Sequence, residues 1–400
     1  MNSCRRIVCT DWKSGLNAVF TRVRQRANCR RCPEAAASLS RSLVTKAEHN
    51  PASDTRERPR LRAIDLARKV QQERTKPRAE AAEAAAEPAE PEPEPPMSGQ
   101  QKRVAELKRF SQQLQNVHPN VLAKQLHRSV LYQDKDVVVI NKPYGVPVRD
   151  DCGSTSITSV LPVLSKMLDG MKVNSGSQLL PCLGLEKETT GALLLARREE
   201  VVEHILNLQR NNQVQRKYWV ITVGVPVPSV GVIDIPIIEK EVPGPRPHYK
   251  MALSPLFRMN DAGDGLTKVR SSRQALPAVT EYRVLTSNNG CSLVELQPLT
   301  VVKHQVRVHM ALGLTCPILG DHKYSNWSKL APQKLPERML GKLGLEQSKV
   351  RYLPLHLLAR ELTLLGTSEA DLSVSSPLPK YFVQTLNRLQ LPLPDKKDNK

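Results

Sequence analysis

The chain has 400 residues, 40% of them hydrophobic and only 4% aromatic, enough apolar material for a sizeable core. Its 59 Lys and Arg against 39 Asp and Glu leave a formal charge of +20, which points to an acidic partner such as nucleic acid or an anionic membrane surface. No apolar run reaches the ~18 residues of a membrane-spanning helix, and so few aromatics argue against a single-strand binder built wholly from stacking platforms.

Residues 1 to 50 hold ten Lys and Arg against three acids. Val8, Trp12, Leu16, Val19, Phe20 and Val23 recur at helical spacing, forming an apolar stripe opposite Arg5, Arg6, Lys13, Arg22 and Arg26. An amphipathic, Arg-rich, acid-poor leader of this kind predicts a mitochondrial transit peptide, with a basic RNA-binding tail as the other reading. Cys29 and Cys32 form a CxxC, but no second pair stands at zinc spacing, so no metal site is expected. Eight cysteines, half of them in the first 32 residues, lack the density of a secreted disulfide scaffold and point to a reducing compartment.

Residues 51 to 96 close on an Ala/Glu/Pro tract from Ala79 to Pro96 with six glutamates, five prolines and no large apolar side chain. Such a tract cannot bury a core and reads as a solvated linker. A charge of +14 remains on residues 97 to 400, so the positive excess belongs mainly to the part that folds. Residues 97 to 130 read as a helical lead-in, its first helix running from Gln101 to about Gln115. Apolar runs rich in β-branched residues follow at Val137–Ile140, Gly191–Ala196, Tyr218–Val223, Val232–Ile238, Val279–Leu285 and Ser292–Leu296. Glu199–Gln209 is the clearest helix among them, and a short one is expected at His304–Leu312. Strand follows strand after residue 215, which argues against regular βαβ winding and for an α+β fold. The expected domain runs from 131 to 392, with a charged tail at 393 to 400.

Three blocks carry more than periodicity. They are LYQDKDVVVINKPYGVPV at Leu131–Val148, CLGLEKETTGALLLAR at Cys182–Arg197 followed by RKYWVITV at Arg216–Val223, and LQPLTVVKHQVRVHMALGLTCPILGDHKY at Leu296–Tyr324. In order and spacing they resemble the RluA-type RNA pseudouridine synthases, whose pattern reads NKPxG, HRLDxxTSGLLLxA, KxY and TGRxHQIRVHxxxxGxPIxGDxxY. The resemblance covers roughly Leu131 to Leu365. The leader and the blocks at 321–335 and 343–360 look similar to the vertebrate mitochondrial branch of that family.

The resemblance implies a pseudouridine synthase catalytic domain, a long mixed and mainly antiparallel sheet flanked by helices with a basic cleft across it. It also implies isomerisation of uridine within mitochondrial RNA, ribosomal RNA first and transfer or messenger RNA after it, in the mitochondrial matrix. No cofactor and no metal are implied, because nothing is oxidised and no group is imported. The family carboxylate, its cationic partner and its base-contacting tyrosine fall on Glu186, Arg307 and Tyr218. Lys142, Lys217, Lys303, His304 and Gln305 are the expected RNA contacts, while Gly320 and Asp321 resemble a turn that braces the cleft. His304 and His309 stand five apart, not at the i, i+4 of a helical metal pair, and read as hydrogen-bonding residues. The chain departs from the pattern at Leu183-Gly184-Leu185-Glu186, where the family has HRLD, and at Val301-Val302, where it has Gly-Arg. The first departure leaves a second reading open, an RNA-binding factor that assembles with mitochondrial ribosome assembly factors and has kept the cleft without the chemistry.

Overall fold

In this computed structural model the described residues run from Ser98 to Pro394, with breaks at 115–116, 150–154, 171–177, 245–246, 260–265, 271 and 367–370, together with Arg68 and Gln71. The chain divides into Met1–Glu92 and Pro93–Lys400. The segments expected to form a transit helix and a linker, apart from Arg68 and Gln71, lie outside the described residues, as do the CxxC and the end of the expected charged tail.

Helix α1 (Gly99–Gln112) starts where the Ser98 hydroxyl accepts the Gln101 N–H and the Gln101 side chain accepts the Ser98 N–H in return. Helix α2 (Pro119–Arg128) opens on a proline, whose missing N–H would have been unpaired there anyway. The chain then alternates β1 (Val130–Gln133), β2 (Val137–Lys142), α3 (Ile157–Asp169), β3 (Leu180–Pro181), β4 (Thr190–Ala196), α4 (Glu199–Arg210) and β5 (Val214–Val223). A run of strands follows: β6 (Val230–Asp234), β7 (Ile237–Val242), β8 (His248–Leu253), β9 (Phe257–Met259), β10 (Leu266–Lys268), β11 (Val279–Asn288) and β12 (Cys291–Pro298). The single turn α5 (Gln305–Val308) passes into a π turn (His309–Gly313), before α6 (Glu337–Leu343), β13 (Leu357–Leu364), β14 (Leu372–Ser375) and α7 (Lys380–Leu389).

Ten strands form one sheet in the order β1-β2-β4-β13-β5-β12-β11-β6, with β3 beside β4 and β14 beside β13. Every pairing in it is antiparallel except β13 with β4, where Leu358 and Ala359 lie beside Thr190 and Gly191. Gly191 sits at φ +114°, and a Cβ there would run into the Ala359 backbone. The fold is therefore α+β with a mainly antiparallel mixed sheet, as the run of consecutive strands predicts.

Period-two alternation gives each strand two faces, and on the central strands both are buried. On β5, Ile221 joins Leu293, Leu358, Phe382 and Leu386 beneath α6 and α7. Tyr218 and Val220 face the other way, onto Val294, Leu357 and Met310. At the other end of the sheet α2 and α3 cover Val138, Ile140, Leu193 and Leu195, while Ile205 of α4 packs with Val137, Val139 and Leu194.

Two expectations need correction. The run Val232–Ile238 is two strands, broken at Ile235-Pro236, and the halves enter different sheets, because β7 pairs with β8. Proline has no N–H to give to a ladder and ends β6 there. The helix expected at His304–Leu312 is one α turn that widens to π at His309, whose Nδ1 meets Thr280 and Nε2 the Ile235 carbonyl.

Candidate active site

The centre is Arg307 on α5, whose side chain is only 5% exposed. Its Nε and Nη2 donate to the two oxygens of Asp321 at 2.9 and 2.8 Å, a bidentate fork. Asp321 is fully buried and also accepts the backbone N–H of Lys323 and Tyr324. Burial by itself would raise this carboxyl, but the Arg307 fork and those two amides hold it below the ordinary aspartate value. The turn is available only to glycine at 320, where φ is +83° and a Cβ would collide with the Pro354 carbonyl. Asp321, together with Glu186, keeps the Arg307 guanidinium protonated despite its burial.

The remaining nitrogen, Nη1, reaches Oε2 of Glu186 at 2.6 Å and stands 3.6 Å from Glu188. Glutamate in place of the family's aspartate thus still meets the arginine. Burial lifts the Glu186 carboxyl above the usual carboxylate value against the pull of Arg307, and Asp321 and Glu188 push the same way. The loop that carries it is fastened from behind. Lys142, at the end of β2, is fully buried and donates from Nζ to the carbonyls of Pro143, Lys187 and Thr189 at 3.1, 2.9 and 2.8 Å. Leu183 is buried beside Ala192 and Leu194, whereas Gly184 faces open space.

Tyr218 lies beneath this loop at 8% exposure, in one cluster with Leu357 and next to Tyr144 and Leu185. Nη1 of Arg216 donates to the Gly184 carbonyl at 3.2 Å and reaches the Tyr218 hydroxyl at 3.5 Å, linking the tyrosine to the Glu186 loop. A cavity of about 380 Å³ is lined by Arg307 itself with Tyr144, Glu188, Lys323, Arg351 and Leu355 among others.

The five expected RNA contacts divide. Lys303 is exposed and near the site, paired with Glu239 at 3.1 Å. Lys142 is a correction: its ammonium is spent on three carbonyls inside the protein and offers nothing to phosphate. Gln305 is another, because it is buried and bonded to Val279, Thr280, Thr300 and Val302. Lys217 points to the sheet face opposite Tyr218 and pairs with Glu361 at 3.4 Å, as strand alternation requires of adjacent residues. His304 is turned inward to Tyr324 and Glu186 rather than to the surface.

Sequence reasoning missed Glu188, Arg216 and Tyr324 as members of the site. Each stands within a quoted motif block, so position in the blocks was the signal. Nothing in their local pattern separates them from solvated or core neighbours.

A partly buried carboxylate bound to a buried arginine, in a cleft rimmed by Lys303, Lys323 and Arg351 on a mainly antiparallel sheet, suits acid–base or covalent work on a polyanion. A family model described as RNA pseudouridylate synthase matches residues 136–312. The mitochondrial pseudouridylate synthase RPUSD4 of Danio rerio is 57% identical over 337 residues, spanning 84% of this chain and 90% of that protein. Its Homo sapiens counterpart is 55% identical over 302 residues, 75% of this chain and 79% of that one. The solved structure of human RNA pseudouridylate synthase domain containing 4 superposes with a TM-score of 0.62 at 52% identity, covering 69% of this chain and 98% of that chain. The chain belongs to the RNA pseudouridylate synthase family.

Proposed function

We propose that the protein isomerises uridine to pseudouridine in mitochondrial RNA, with ribosomal RNA first among its substrates and transfer or messenger RNA after it. The N1–C1′ bond breaks, the base turns and a C5–C1′ bond forms. C5 loses its hydrogen and N1 gains a proton, so atoms and electrons balance without an oxidant or a carried group. The observation that supports this most directly is the 2.6 Å contact of Glu186 with Arg307 at the cleft.

Glu186 is the carboxylate that acts on the ribose or base. Arg307 keeps it ionised and aimed, because a buried carboxylate without a cation would take up a proton. Tyr218 supplies an aromatic wall for a uridine drawn out of its stack. Lys303, with Lys323 and Arg351 near it, holds the phosphate backbone, which contributes most of the affinity in such complexes.

Residues 1 to 50 act as the leader that delivers the chain to the mitochondrial matrix, and residues 51 to 96 as a tether. The amphipathic stripe supports this, as do the names of the two relatives, both mitochondrial. Acting on ribosomal RNA would put the protein beside the assembly factors of the mitochondrial ribosome. Purified protein incubated with mitochondrial RNA should produce new pseudouridine by carbodiimide mapping, and Glu186→Gln should remove it while leaving RNA affinity unchanged. No product at high enzyme concentration would sink the proposal.

A further inference from the structure

His304 enters α5 with φ 57° and ψ 20°, left-handed backbone that residues other than glycine seldom adopt, although histidine, asparagine and aspartate do so more than most. Such strain persists where the surroundings over-determine it, and here two neighbours do so. Nδ1 of the imidazole meets the Tyr324 hydroxyl at 2.5 Å, and Nε2 stands 3.8 Å from Oε2 of Glu186. Proton counting fixes the tautomer. The Tyr324 oxygen accepts the Met251 backbone N–H at 3.3 Å, and among the described residues its own proton has no acceptor other than His304 Nδ1. Nδ1 is then the acceptor, so the ring proton sits on Nε2, facing the carboxylate.

The ring is neutral, since burial lowers it to about 3 and Arg307, Lys323 and Lys303 push the same way against Asp321. Arg307 Nη1 takes the same glutamate oxygen at 2.6 Å, and among the described residues no hydrogen bond reaches Oε1. One donor pins a point but leaves the carboxylate free to swivel about it. A glutamate has one more torsion to fix than an aspartate. A second donor on the same oxygen fixes the plane, and a neutral one does so without adding charge to the pair. At 3.8 Å the pair stands just outside hydrogen-bond reach, and catalytic contacts of this kind tighten as the reacting complex forms.

Resting on the reading of Glu186 as the reacting carboxylate, we propose that His304, locked in its Nε2–H form by Tyr324, is a positioning residue that holds Oε2 of Glu186 together with Arg307 and presents Oε1 to the uridine.

The test uses the full-length protein and an RNA that the wild type modifies. His304→Ala should lower kcat about 10- to 100-fold, the scale of a small misplacement, with KM nearly unchanged. It should also move the acid limb of kcat/KM to higher pH, since the carboxylate has lost a donor. The other charged groups around Glu186, namely Arg307, Glu188, Asp321, Lys323 and Lys142, are untouched by the change. His304→Asn, which tolerates left-handed backbone and carries an N–H donor, should recover part of the rate. Tyr324→Phe should act in the same direction as His304→Ala, but less. A raised KM with kcat intact would make His304 an RNA contact and overturn the proposal, as would an acid limb that stays or falls. The ring nitrogen chemical shifts of His304 decide the tautomer even if the variants fail to fold, and a proton on Nδ1 overturns the lock. A wild type that makes no pseudouridine would instead bring down the functional reading, with the tautomer still decided by those shifts.

Discussion

Two walls of the cleft are built on one device and used differently. The Glu186 loop is fastened by Lys142, whose ammonium donates to three carbonyls, and the segment after Asp321 is fastened by Lys250, which is 1% exposed and donates to the carbonyls of Asn326, Trp327 and Lys329 at 2.7, 3.0 and 3.1 Å. An ammonium has three donors and so can satisfy an irregular loop that no strand or helix pairs. The first wall carries the half-exposed carboxylates Glu186 and Glu188, while the second carries Asp321, which is fully buried. The wall that performs chemistry leaves an acid open to substrate, and the wall that supports it buries its acid against the shared arginine.

Removing the arginine breaks both walls at once. Arg307→Ala leaves Asp321 buried without its cation, and we expect a loss of about 3–5 kcal/mol in denaturant unfolding. Turnover should vanish while RNA affinity falls only modestly, one cation being lost among many. Comparable losses in binding and turnover would make Arg307 a phosphate clamp instead.

Next in size is Lys142→Met, which strands three carbonyls, that of Thr189 among buried atoms. About 3 kcal/mol of stability should go, and kcat should fall because the Glu186 loop is no longer held. Lys250→Met should cost less, about 2 kcal/mol, since Asn326 and Lys329 are exposed and their carbonyls can turn to water. Its kcat should stay near wild type. Equal kinetic damage from the two variants would show that the walls are not specialised.

The same lysine, Lys142, should also give stability a pH dependence. Burial lowers Lys142 from 10.5 to about 7 in the folded protein, against the attraction of Glu188 and Glu186. Between about 7 and its ordinary value the unfolded chain holds the proton that the folded chain has released, so stability should rise with pH across that window. The rise should be absent in Lys142→Met, and the difference between the two unfolding profiles measures it. A flat difference would place the ammonium in a better-solvated site than its burial indicates.

The same comparison separates what could be read from the chain. NKP at Asn141–Pro143 announces a strand end, but only the fold shows Lys142 turned inward instead of outward to phosphate. Lys217 and Tyr218 are adjacent letters in one motif, and strand alternation sends them to opposite faces. Glu186, by contrast, could be singled out in an altered motif because a carboxylate survives at its position.

The sequence by itself determined the strand and helix runs and the α+β class, which follow from local periodicity, and its motif blocks carried the resemblance to the family, which in turn pointed to Glu186 and Arg307. Tertiary structure decided which cations stay inside, that a glutamate still reaches the arginine, that Glu188 and Asp321 share it, and which nitrogen of His304 carries the proton. Those outcomes depend on atoms from segments more than a hundred residues apart, as Glu186 and Arg307 are, and on the burial that makes each unpaired donor or charge costly. No local pattern encodes a hydrogen-bond partner that only the folded sheet brings near.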